Sequence, residues 1–156
     1  MYYFLEDLKK YLEECFKKDA DISVAKKPQV YMGYQIQHEP SSKRPEIQVQ
    51  PLGNSEQGNY TTFCGKKANS IPVQVTALTG QLRIGGVDYS AQEASIILGD
   101  KIDKYMNDYI YSCTNENIYE ARMITSSPAL PMNETGSVYM TAVRFDFVIA
   151  YPYVAG

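Results

Sequence analysis

Tryptophan is absent from this 156-residue chain, histidine occurs once and cysteine three times. Cys15, Cys64 and Cys113 stand apart, none with a cysteine or histidine at metal-ligand spacing, so no metal site is expected. An odd cysteine count without a secretory signal reads as reduced thiols in a cytosolic protein. The start, MYYFLEDLKKYLEECFKK, places acids where a signal peptide would be basic. No apolar run approaches the roughly 18 residues of a membrane-spanning helix, so no membrane partner is expected. Positive charge is in short supply as well: 15 Lys and Arg face 18 Asp and Glu, a net charge of −3. Binding a phosphate backbone needs clustered bases. The pairs Lys9-Lys10, Lys17-Lys18, Lys26-Lys27 and Lys66-Lys67 are scattered among acids and read as solvated surface, which argues against nucleic-acid recognition.

Catalytic signatures are also missing. The chain has no GxSxG, no phosphate loop, no HExxH and no calcium loop. Gly85-Gly86 is too short for a dinucleotide fingerprint and reads as a bend. The acid pairs Glu6/Asp7, Glu13/Glu14 and Asp100/Asp103 fall on the outward faces of predicted helices, where nothing would raise a carboxyl pKa for acid–base work. His38, beside Glu39 and Pro40, reads as a surface turn residue. Asn133-Glu134-Thr135 has the form of a glycosylation acceptor, but without a secretory signal it carries no weight. The expectation is therefore a protein with no catalytic residues, no cofactor and no metal.

What the chain does have is tyrosine, fourteen times. Tyrosine is a good strand residue and also suits surfaces that become buried on assembly. Hydrophobic residues at 44% and charged residues at 21% describe an ordinary globular protein, and the length favours one domain over 1–156. Residues 3–18 predict an amphipathic helix, with Leu5, Leu8, Leu12, Cys15 and Phe16 on one face, acids near its start and Lys17-Lys18 at its end. Asp19-Ala20-Asp21 ends it. Residues 29–37 and 46–50 alternate as strands and predict a hairpin across the Pro-rich turn between them.

Residues 51–69 predict a long polar loop, 70–78 a third strand, and Leu82 and Ile84 a short extension that bends away. Ser90-Ala91-Gln92-Glu93 is a capping box opening a helix over 90–112, with a stripe of Ala94, Ile97, Leu98, Ile102, Tyr105, Met106 and Tyr109. Gly99 weakens that helix by up to about 1 kcal/mol relative to alanine, which points to close packing on a sheet. Residues 118–126 predict a fourth strand, 127–136 a second loop, and 137–151 a long central strand with Val143, Phe145, Phe147 and Ile149 on one face. The expected fold is α+β: a mainly antiparallel sheet of about five strands with two helices on one face.

Three segments carry a family resemblance: the opening helix FLEDLKKYLEECF, the strand IPVQVTAL followed by the helix SAQEASIILGDKIDKYM, and the ending ITSSPALPMNETGSVYMTAVRFDFVIAY. In their order the chain resembles the tail terminator proteins of tailed phages, also described as minor capsid or head–tail joining proteins. The resemblance implies a ring, usually hexameric, that caps the tail tube, stops its polymerisation and meets the head connector. It implies residence in the virion tail, contacts with tube and sheath proteins, and neither enzymatic activity nor a cofactor. A ring-former needs side surfaces and loops that order against neighbours. The two loops supply the expected interface residues: Tyr60 and Phe63 in 51–69, and Pro128, Leu130 and Met132 in 127–136. The 51–69 loop is expected to order only against a neighbouring subunit or the tube. The alternatives are another tail or baseplate component, a phage-tail-like bacteriocin part, a small intracellular ligand-binding domain with helices over a sheet pocket, or a small enzyme using Cys64 or His38.

Overall fold

A computed structural model describes residues 2–33, 44–52, 60–61, 67–112 and 115–151. Helix α1 (Tyr2–Lys18) is followed by a 3-10 turn (Val24–Lys26), β1 (Gln29–Met32), β2 (Glu46–Pro51), β3 (Tyr60–Thr61) and β4 (Lys67–Thr79). Then come β5 (Leu82–Ile84), β6 (Val87–Tyr89), α2 (Ala91–Ser112), β7 (Ile118–Ser126), β8 (Leu130–Pro131) and β9 (Tyr139–Tyr151). The main sheet runs β1-β2-β4-β9-β7, with the two-residue strands β3 and β8 added on β4 and β9; β5 and β6 form a separate hairpin. Five strands on the main path and two helices make the expected α+β fold.

Alternation builds the core. Ile71, Val73 and Val75 of β4 lie opposite Phe147, Phe145 and Val143 of β9, and Val49 and Ile47 of β2 lie opposite Val75 and Ala77. All of these are buried, and they form one cluster with Phe4, Leu8, Leu12 and Phe16 of α1 and Ala94, Leu98, Ile102 and Met106 of α2. Both helices therefore pack on one face, α1 over β1 and β2 and α2 over β4 and β9. Phe4 meets Phe147 edge-on with ring centroids 4.9 Å apart, a favoured aromatic geometry.

The close approach expected at Gly99 is present: a Cβ there would lie 2.7 Å from Thr141 Cγ2. Beside it, the Thr141 hydroxyl donates to Ser95 Oγ at 3.2 Å. The capping box also forms, with the Glu93 N–H donating to Ser90 Oγ at 3.3 Å and the Ser90 N–H to Glu93 Oε1 at 3.3 Å. Gly85 and Gly86 both have positive φ, 59° and 81°, and make the two-residue turn between β5 and β6.

Four sequence expectations need correction. The hairpin expected between 29–37 and 46–50 is a parallel pair, Gln29 beside Glu46 and Met32 beside Val49. Period-two alternation is the same for either strand direction, so it could not decide this. The connection over 33–45 has the length of about a dozen residues that a parallel return requires. The predicted strand ends at Met32, with 34–37 outside the described residues. Glu6 and Asp7 miss the first turn of α1 because the helix starts at Tyr2; Glu6 instead pairs with Lys10 at 3.6 Å. Both predicted loops are partly strand: β2 extends to Pro51, β3 and the start of β4 occupy 60–61 and 67–69, and β8 lies inside 127–136.

Candidate functional site

Strand β7 is one lateral edge of the sheet, and α2 sits over β4 and β9 without closing over it. The gap is a cavity of about 430 Å³. Ile96, Gly99, Asp100 and Asp103 of α2 form one wall, Met123 and the 126–129 segment the other, and Thr141 and Val143 the floor. Ile96 is 44% and Met123 47% exposed. Both belong to positions whose backbone geometry is fixed by the sheet and the capped helix, so this apolar surface is ordered in advance of any partner.

The segment after β7 is anchored as firmly. Ser127 exchanges two hydrogen bonds with Ala142, its N–H donating to the Ala142 carbonyl at 2.8 Å and its Oγ accepting from the Ala142 N–H at 2.9 Å. Leu130 and Pro131 pair with Met140 and Tyr139, and the Met132 N–H donates to the Val138 carbonyl at 2.8 Å. At the tip Asn133 Oδ1 accepts from the Ser137 N–H at 3.0 Å, and Gly136 takes a positive φ of 67°. Pro128, Leu130 and Met132, expected from sequence as interface residues, are all exposed on this ribbon. Pro128 lines the cavity, whereas Leu130, opposite Met140, shares the face that the helices do not cover. Large apolar side chains held out on an ordered ribbon lose little entropy on docking.

Tyr60 lies elsewhere. Strand β3 pairs it with Ala68, which faces Ala150 near the end of β9, whereas Leu130 faces Met140 near the start of β9. At roughly 3.3 Å per residue the two sites are about 33 Å apart. The two sets of expected interface residues thus occupy opposite ends of the β4–β9 ladder. Phe63, His38, Cys64 and Cys113 lie outside the described residues. Sequence reasoning missed Ile96 and Met123; an isoleucine outside the stripe of α2 was the one available signal.

A second cluster joins the helices. Lys101 Nζ contacts Asp19 Oδ2 at 2.8 Å and Asp21 Oδ2 at 3.2 Å, and the Tyr105 hydroxyl donates to Asp19 Oδ2 at 2.8 Å. The Tyr11 hydroxyl donates to the Tyr105 carbonyl at 2.6 Å. Lys27 Nζ donates to the carbonyls of Phe16 and Asp19 at 3.0 and 2.6 Å, which satisfies the end of α1. Burial works against ionised Asp19, but the bonds from Lys101, the Asp21 N–H and Tyr105 outweigh it and hold the carboxyl below its usual value. Burial likewise works against the Lys101 ammonium, and the two aspartates outweigh it and raise its pKa. Burial and the Asp19 carboxylate push the Tyr105 phenol well up. Near neutral pH these shifts fix Asp19 as the carboxylate, Lys101 as the ammonium and Tyr105 as the neutral phenol, which suits a clamp rather than proton transfer.

The middle of the helix-free face of the sheet is polar. Gln50, Gln74, Arg144 and Thr125 form one cross-strand row, and Pro72, Asp146 and Arg122 the next. Arg144 Nε lies 3.5 Å from Asp146 Oδ1. Among the described residues no three His, Cys, Asp or Glu side chains converge on a metal position, and no helix is long and apolar enough to cross a membrane. No protein-family model matches this chain, and none of the curated proteins is significantly similar to it.

Proposed function

We propose that this chain is a structural subunit of a tailed phage or phage-tail-like particle, forming a ring, usually a hexamer, that caps the tail tube, ends its polymerisation and joins the tail to the head or collar. The observation that carries the reading is the ordered apolar surface at the β7 edge, Ile96 and Met123 beside the ribbon bearing Leu130 and Met132. Such a surface serves association, and the order of elements supplies the tail-terminator resemblance. In this reading the partners are further copies of the chain, the tube and sheath proteins and the head connector, and the site of action is the virion tail, after assembly in the bacterial host. The protein works as a geometric stop and needs no catalytic residue or cofactor.

Native mass spectrometry tests the ring: a closed oligomer, six copies for a hexamer, supports it. Adding the protein to polymerising tube subunits should then cap the tubes and shorten them. A monomer at all concentrations that leaves tube length unchanged would sink the reading. The cavity of about 430 Å³ favours one alternative, a small ligand-binding domain, because it falls within the roughly 300–1,000 Å³ of small-molecule sites. That alternative expects a monomer whose melting temperature rises with a bound metabolite.

A further inference from the structure

The two lateral edges of the sheet carry unlike grooves. At the β7 edge the cavity has Asp100 and Asp103 on its rim and, among the described residues, no lysine or arginine in its lining, around the apolar pair Ile96 and Met123. At the β1 edge a second cavity of about 500 Å³ lies between the end of α1, the 3-10 turn and β1. Lys17 and Arg44 line it with Glu13 and Glu14, and Glu13 is already paired with Lys9 at 3.4 Å; Lys27, on the same lining, adds its charge while its Nζ bonds the carbonyls at the end of α1. Val24, on the same lining, stands 83% exposed. One edge is therefore an acidic apolar recess, and the other a basic rim with an aliphatic knob.

Strand β7 is a poor template for extending the sheet. Its pairing with β9 is interrupted between Ile118 and Glu120 and again between Met123 and Thr125, and such irregularities blunt an edge against strand addition. An association at this edge has to use side chains. Complementary surfaces at opposite ends of one subunit make a heterologous contact, which closes into a ring when the rotation per subunit allows it.

We infer that the β1 edge of one copy of this chain docks into the β7-edge cavity of the next, with Val24 entering between Ile96 and Met123 and with Lys17 and Arg44 beside Asp100 and Asp103. The inference rests on the ring reading and names the surfaces that would close it. Both edges are used by every subunit, so the contact propagates around the ring. Charge sets the polarity of the contact and the apolar pair fills its centre, the arrangement expected of a polar-rimmed interface.

The experiment uses two charge reversals of the full chain: Asp100→Lys with Asp103→Lys, and Lys17→Glu with Arg44→Glu. Each is expected to be folded by circular dichroism yet monomeric by native mass spectrometry. A 1:1 mixture is expected to regain assembly, because each variant keeps one native edge and the two reversed edges complement each other. If the wild type assembles but either reversal keeps its full copy number, or the mixture stays monomeric, the assigned surfaces are wrong while the ring reading survives. If the wild type is monomeric at all concentrations the docking inference fails, and if it also leaves tube length unchanged the ring reading fails with it. Should a reversal fail to fold, the wild type itself decides by salt. From about 0.1 to about 1 M the screening length drops from roughly 10 to roughly 3 Å, and the oligomer is expected to loosen at least about tenfold in apparent affinity. An oligomer indifferent to salt would overturn the inference.

Discussion

Gly99 is the position where one methyl group decides most. Alanine there would recover up to about 1 kcal/mol of helix propensity, but its Cβ would sit 2.7 Å from Thr141 Cγ2, a carbon carried by a β-branched residue on the central strand. Overpacking a core typically costs about 1–3 kcal/mol, so Gly99→Ala should lower the denaturation free energy by about 1–2 kcal/mol. Thr141→Ser removes the clashing carbon and keeps the hydroxyl that meets Ser95, so the double variant should recover most of the loss in a urea titration. Lys101 is the second such residue. Lys101→Met strands the Asp19 carboxylate, only 5% exposed, without its cation, and should cost about 2–3 kcal/mol at pH 7.

The sign of the pH dependence follows from Asp19. Its folded pKa is lowered, so its contribution is complete above the unfolded carboxylate value of about 3.9 and is lost as pH falls through the folded value. Stability of the wild type should therefore drop below about pH 4. Lys101→Met should narrow that drop, because protonation then relieves an unpaired charge. Urea unfolding at pH 7 and pH 3 for both proteins checks this; equal losses in the two would refute the clamp.

At the scale of elements, the capping box of α2 offers a direct measurement. Ser90→Ala removes the oxygen that accepts from the Glu93 N–H, and should cost about 1 kcal/mol; no change in a thermal melt would show that the cap contributes nothing. That box was legible in four consecutive letters, as were the alternation of β9 and the stripe of α2, because each is a local pattern with a single geometric meaning. Strand direction was not. Val30 and Ile47 bury equally well whichever way β1 runs, and the parallel register depends on a connection whose path alternation does not encode. The cavity at the β7 edge was also illegible: Ile96 and Met123 meet only because α2 crosses β9 and stops short of β7. The short strands β3 and β8 lay below the length at which alternation can be read at all.

At the scale of the whole molecule, the two ends of the β4–β9 ladder separate the expected contact residues into two groups, near Tyr60 at one end and near Leu130 and Met132 at the other. A subunit that stacks between two different neighbours needs such a division. Leu130→Glu with Met132→Glu should leave the melting temperature within about 2 °C, since both side chains are exposed, while abolishing assembly or tube capping. Tyr60→Ser with Phe63→Ser should do the same from the other end. If either pair instead lowers the subunit's own denaturation free energy by several kcal/mol while assembly persists, those residues belong to the core and not to a contact.

The central position of β9 has a further consequence, in time rather than space. It follows every other described strand, yet it lies between β4 and β7 and pairs with β4 along all 13 residues of each strand. Among the described strands, until β9 is synthesised β7 has no partner in the main sheet and β4 keeps one side bare. The helices then have only half a surface to cover. The dominant contacts join segments far apart in the chain, which places refolding in the millisecond-to-second range rather than in microseconds. During synthesis the chain would expose the open edges of β4 and β7 until β9 arrives, the period in which strand-edge aggregation is most favoured. Truncation before Tyr139 should accordingly yield an aggregating chain rather than a smaller folded one.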